Sequence, residues 1–237
     1  MEIIERKENQ ITFRAEISDS LANAIRRYLN QIPILAVDEV EIYKNDSPLY
    51  DETIAHRIGL IPLKMDKATN EKTEMELKLE VKGEGLVYSG DLKGALGVVY
   101  DKIPITSLGE DGEMQIVAFA KTGKGNEHSK FSPGLMFYRH VVEIKMDGDL
   151  YERMKELLPN NEIKKEGKSI VILDDQKKEV SDICEEICRE EGKKLEMIPK
   201  DELIITIESF GQIEVNEIFK RAISALEKDL EFVSKKI

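Results

Sequence analysis

The chain has 237 residues, 41% apolar and 35% charged, enough to bury a core without disulfide staples in one large domain or two to three small ones. Lysine and arginine number 35 against 47 acidic residues, and the net charge of −12 argues against nucleic-acid binding as an independent main activity. Two cysteines exclude a disulfide framework, no apolar run reaches the roughly 18 to 20 residues of a membrane span, and the opening MEIIERKENQ carries no signal pattern, so the expected location is the cytoplasm.

In chain order, residues 2–17 read as a hairpin turning at Glu8–Asn9, with Ile11, Phe13, Ala15 and Ile17 alternating against polar residues. Leu21, Ala24, Ile25, Tyr28, Leu29 and Ile32 then recur at helical spacing on one face, with Ser18 or Asp19 as N-cap and Pro33 as the stop. Asn23, Arg26, Arg27 and Asn30 line the other face. Residues 34–43 alternate as a strand with one wet face, and Asn45–Pro48 form a turn cluster. The segment DETIAHRIGLIPL, 51–63, predicts a short helix capped by Asp51, with Gly59 past its end and Pro62 beyond. It carries His56 and Arg57, and Leu60, Ile61 and Leu63 call for burial.

Residues 66–73 form a polar connector, and 74–82 alternate strictly as a strand. Shorter strand signals follow at 86–89, 97–105 and 113–121, then a Gly- and Lys-containing loop at 123–134, then a strand over 135–146. Beyond 149 the pattern gives a helix with Leu150, Met154, Leu157 and Leu158 on one side, and a hairpin around Glu166–Gly167. A helix over 181–192 follows, capped by Ser181 and Gly192, then a strand over 202–208. The longest helix signal is 213–237, where Val215, Ile218, Phe219, Ala222, Ile223, Leu226, Leu230 and Val233 recur every three or four residues. That stripe has two readings: it caps the chain's own sheet or, with that of Leu21–Ile32, it packs against a partner's equivalent helices, as an apolar face longer than a local sheet can cover usually does.

Catalytic signals are absent from the sequence. His56, His128 and His140 have no zinc-type spacing to other ligands, and no G-x-S-x-G nucleophile elbow occurs. The loop GKGNEHSKFSP lacks the G-x-x-x-x-G-K-[ST] order of a phosphate loop; a stand-alone enzyme holding a phosphorylated substrate at 123–134 is the alternative reading it leaves. Asp147 with Asp149, and Asp174 with Asp175, are acidic pairs of the kind chance supplies in a chain with 47 acids, and no metal site is expected. Cys184 and Cys188 fall on one helix face as buried structural thiols.

Residues 23–63, reading NAIRRYLNQIPILAVDEVEIYKNDSPLYDETIAHRIGLIPL, resemble the signature of the alpha-type assembly subunits of cellular RNA polymerases. AKTGKGNEHSKFSP, ITIESFGQ and the terminal helix agree with later stretches of that family. The length, and the lack of a C-terminal DNA-binding domain, point to the archaeal branch of the family, the D-type subunits. The resemblance implies an α+β fold: a dimerisation domain from 1–46 and 202–237, an inserted mixed-β domain at 47–148, and a small ferredoxin-like remnant at 149–201. It implies a non-catalytic scaffold that pairs with subunit L and nucleates assembly with subunits N and P and the large catalytic subunits, touching DNA only through the complex. Leu21, Ile25, Tyr28, Leu29, Ile218, Phe219, Ala222, Leu226 and Leu230 are the expected L interface, with Asp at position 25 or 219 expected to block pairing. Arg26, Arg27, His56 and Arg57 are the expected contacts to a large subunit. Some archaeal members carry an Fe–S cluster in the region matching 149–200; here only Cys184 and Cys188 remain, and no cluster is expected.

Overall fold

The computed structural model describes residues 2–66, 69–70, 72–159, 161–176 and 180–236. In chain order it forms β1 (Glu2–Arg6), β2 (Gln10–Ala15), α1 (Asp19–Tyr28), β3 (Ile34–Asn45), α2 (Asp51–Gly59), β4 (Glu74–Lys82), β5 (Gly85–Tyr88) and β6 (Lys93–Gly94). There follow β7 (Pro104–Leu108), β8 (Glu113–Gly123), β9 (Gly134–Asp147), α3 (Tyr151–Leu157), β10 (Ile163–Glu166), β11 (Ser169–Asp174), α4 (Ser181–Glu190), β12 (Leu195–Ser209) and α5 (Val215–Ser234). The fold is α+β. Two compact units emerge, the first from residues up to Asn23 with Met136–Ile207, the second from Ala24–Leu135 with the chain from Glu208 onward.

In the first unit a six-stranded sheet runs in the order β1-β2-β12-β9-β11-β10. Helices α3 and α4 contribute Met154, Cys184, Ile187 and Cys188 to a core with Ile144, Met146, Ile170 and Ile172 of the sheet. Asp174 fixes the entry to α4. Its buried carboxylate accepts from Arg139 Nη2 at 2.8 Å and from the backbone N–H of Val180 at 3.3 Å. The helix leaves through Gly192 at φ +62°, where Lys193 N–H reaches the Cys188 carbonyl at 2.8 Å and closes the last turn. Thr12 and Thr206, both buried on neighbouring strands, share a hydroxyl–hydroxyl bond of 3.1 Å.

In the second unit β3, β8, β4 and β6 form an antiparallel sheet, and β5 pairs with β7. Leu35, Val37, Leu77, Leu79, Met114 and Ile116 of the large sheet pack with Ile54 and Ile58 of α2. Strand β3 begins as an unbroken buried run, Ile34–Val37, and only then alternates. Gly134 lies against the end of β12: a Cβ there would sit 2.0 Å from the Glu208 carbonyl oxygen, so only glycine permits the approach.

Several expectations change. The first helix is α-helical only to Tyr28 and tightens into a 3-10 turn over Leu29–Gln31, because Pro33 holds Ile32 extended at ψ 123°. Ser18, not Asp19, is its cap, its hydroxyl accepting from Leu21 N–H at 3.3 Å. Asp51 is the first helical residue of α2, not its cap, and its carboxylate accepts from Asn45 Nδ2 at 2.7 Å. Gly59 ends α2 inside the helix, with Leu60 as the C-cap. Ser181 likewise lies inside α4, with Val180 before it. Leu60 and Leu157 are about half exposed, whereas Ile61, Leu63, Leu150 and Leu158 are buried. Residues 97–105 give no continuous strand; Val98 makes a single bridge to Leu63, and β7 starts at Pro104. Strands β9, β11 and β12 join the N-terminal hairpin in one hydrogen-bonded layer.

Candidate partner interface

Helix α5 is twenty residues long, about 30 Å. On its first half Val215, Ile218 and Ala222 are buried, and the helix packs on the Leu29–Gln31 turn. Tyr28 donates its hydroxyl to Asp229 at 2.9 Å, tying the end of α1 to the middle of α5. That bond to the carboxylate raises the phenol's pKa above its ordinary value.

A second stripe runs beside the buried one. Phe219, Ile223, Leu226, Leu230 and Val233 are spaced 4-3-4-3, the repeat of a helix–helix seam. Phe219, Ile223 and Leu226 are half-buried, and Leu230 and Val233 are 60% and 54% exposed. The helix thus uses one apolar strip on its own chain and leaves the neighbouring strip open toward its C-terminal end.

The expected interface residues therefore separate into two groups. Ile25, Leu29, Ile218 and Ala222 are at most 4% exposed and belong to this chain's own core. They pack within this chain, and an Asp at position 25 would disrupt the fold itself. Leu21, Leu230 and the half-buried Tyr28, Phe219 and Leu226 keep accessible surface. Val233 and Phe232 were not among the expected contacts, yet both are more than half exposed. The 3.5-residue spacing distinguishes Val233 from Ala222, and that signal is in the sequence; nothing in the periodicity marks Phe232.

Arg26 and Arg27 are exposed on α1. On α2, His56 and Arg57 are exposed and Arg57 Nη2 donates to the Pro104 carbonyl at 2.9 Å, so that guanidinium is anchored before any partner arrives. Tyr50, just ahead of α2, is 82% exposed and went unmarked in the sequence.

The polar residues weighed for chemistry are used internally. Asp147 and Asp149 both bind Lys193, at 3.2 and 3.1 Å. Asp174 pairs with Arg139 and Asp175 with Arg14. His140 contacts the Lys200 carbonyl and Asp19, and His128 Nδ1 accepts from Lys130 N–H. In the 123–134 loop, Lys130 sits 2.6 Å from Asp38, whose carboxylate pKa is lowered by its bonds to Lys121 and Lys130. Cys184 and Cys188 are free, buried thiols, and burial pushes Cys184 up to about 12. Among the described residues no three His, Cys, Asp or Glu side chains gather as metal ligands, and no helix is long and apolar enough to cross a membrane.

The RNA polymerase Rpb3/RpoA insert domain, found in alpha-type polymerase subunits, matches residues 23–136 of this α+β chain. The DNA-directed RNA polymerase subunit Rpo3 of Pyrococcus horikoshii is 36% identical, over 95% of this chain and 93% of its own length. Its counterpart from Pyrococcus furiosus is 35% identical over 95% and 92%, and that of Methanopyrus kandleri 31% over 94% and 89%. The chain belongs to the Rpo3 family, the alpha-type assembly subunits of archaeal DNA-directed RNA polymerase. The reading of the chain as a stand-alone enzyme is not supported.

Proposed function

We propose that this subunit is the non-catalytic platform on which its polymerase assembles in the cytoplasm, pairing with the smaller alpha-like subunit L through the open seam of α5. The pair then receives subunits N and P and the large catalytic subunits. The observation that carries this reading is the exposure of Leu230 and Val233 on the same stripe as half-buried Phe219 and Leu226. A 4-3-4-3 apolar strip left in water on a helix already anchored by its other strip is what a partner helix covers. Leu21 adds apolar surface, and Arg26, Arg27, His56 and Arg57 supply exposed charge and hydrogen-bonding groups suited to a large subunit's carboxylates. In this reading the hairpin, α1 and α5 serve dimerisation, 47–148 is the insert, and 149–201 is a cluster-free remnant. The last point is supported by two thiols packed among Ile144, Met154 and Ile187.

Co-expression with a subunit L tests the pairing. A one-to-one complex that survives gel filtration, with self-association of the chain alone, is expected; a monodisperse monomer indifferent to L contradicts it. Iron analysis of anaerobically purified protein tests the remnant, with less than a tenth of an equivalent expected and stoichiometric iron contradicting it.

A further inference from the structure

We propose that the edge of α5 away from the seam, together with Lys124, forms a docking cleft for an acidic segment of a protein partner. The cleft has a volume of about 330 Å³ and lies between α5, the chain at Gln31–Pro33 and the start of the β8–β9 loop. Arg221 and Lys228 reach it from α5, and Lys124 from the loop, with Ser224 between them. None of the three cations has a hydrogen-bond or ion-pair partner among the described residues. Elsewhere in this acid-rich chain, Lys44, Lys130 and Lys193 all sit on carboxylates. The one acid lining the cleft, Asp229, accepts the Tyr28 hydroxyl.

The loop is built to hold Lys124 there. A Cβ on Gly125 would fall 2.6 Å from Asn30 Oδ1, so glycine lets the loop lie directly against the turn that follows α1. Ser132 Oγ donates to the same Asn30 oxygen at 2.9 Å, pinning the far end of the loop. Lys124 is thus placed by the packing of its loop against Asn30, not by an ion pair of its own.

Arg221 and Lys228 stand two helical turns apart, about 10 Å along the axis. Carboxylates two turns apart on a helix, or three residues apart in an extended segment, match that spacing. Pro33 and Ala225 give the cleft an apolar floor, which suits a peptide with mixed side chains. A nucleic acid is disfavoured, since its continuous phosphates would meet Glu227 and Glu231 on the same helix and a chain of net charge −12. The cleft lies on the opposite edge of α5 from the seam, so the claim goes beyond the pairing with L and is separable from it.

The test places the photo-cross-linker p-benzoylphenylalanine at Ser224 of the full chain in purified RNA polymerase and sequences what it captures. Expected is a segment of another subunit with at least two Asp or Glu within seven residues and net negative charge. Arg221→Glu with Lys228→Glu should lower the cross-link yield about tenfold at ~0.1 M salt, since both charges would then repel the segment. Lys102→Glu with Lys194→Glu, the same change in net charge elsewhere, should leave it within about twofold. Capture of a neutral or basic segment, capture of nucleic acid, no cross-link, or a yield indifferent to the Arg221 and Lys228 reversals would each overturn the proposal.

Discussion

Burial inside the first unit moves the Cys184 thiol from the ordinary 9.0 to about 12, because a thiolate among isoleucine and methionine side chains loses its hydration. The folded state therefore holds this proton where the unfolded chain would release it. Its contribution to stability is full below pH 9 and is lost as the pH rises from 9 toward 12. Native protein at pH 8 should leave Cys184 unreacted with iodoacetamide and expose it on unfolding in urea; rapid labelling of the native chain would contradict the burial. The Thr12–Thr206 pair makes a second residue-scale claim. Thr12→Val leaves the buried Thr206 hydroxyl without its partner and should cost about 1–3 kcal/mol in urea unfolding. The double change to valine should recover most of that. The thiols were legible in the sequence as buried, from their company of isoleucines. The threonine pair was not, because a contact across 194 positions leaves no local signal.

Among elements, glycines separate what yields from what does not. A Cβ at Gly134 would meet a backbone oxygen, so Gly134→Ala should destabilise by about 1–3 kcal/mol. At Gly125 the obstacle is the Asn30 side chain and not backbone, so the same change should cost less and should shift the loop; a urea titration of both variants measures the difference. Periodicity located α1, α5, β4 and the two hairpin-forming strands at the N-terminus well, since each is amphipathic over its length. It failed at helix ends. Asp51 and Ser181 are good capping types in isolation, yet the chain enters both helices one residue earlier, with Asp51 held instead by Asn45. Periodicity also merged the two strips of α5, because an apolar stripe reads the same whether its cover is the chain itself or another protein. Only the burial of Ile218 and Ala222 beside exposed Leu230 and Val233 separates them.

For the whole molecule, the six-stranded sheet draws strands from both ends and the middle of the chain, a closure that strand patterns alone do not reveal. The family was legible because residues 23–63 concentrate it; the division between core and interface was not. The central claim is that the open strip of α5 binds the alpha-like partner while the covered strip holds the fold. Ile218→Asp, placing a charge where exposure is 0%, should cost more than about 3 kcal/mol and abolish folding and pairing together. Leu230→Asp with Val233→Asp alters only surface of the isolated chain and should change its stability by no more than about 0.5 kcal/mol. The decisive measurement is co-purification of that double variant with tagged subunit L, alongside its thermal unfolding. An unchanged Tm and loss of the complex are expected. Recovery of the complex at wild-type yield would contradict the claim.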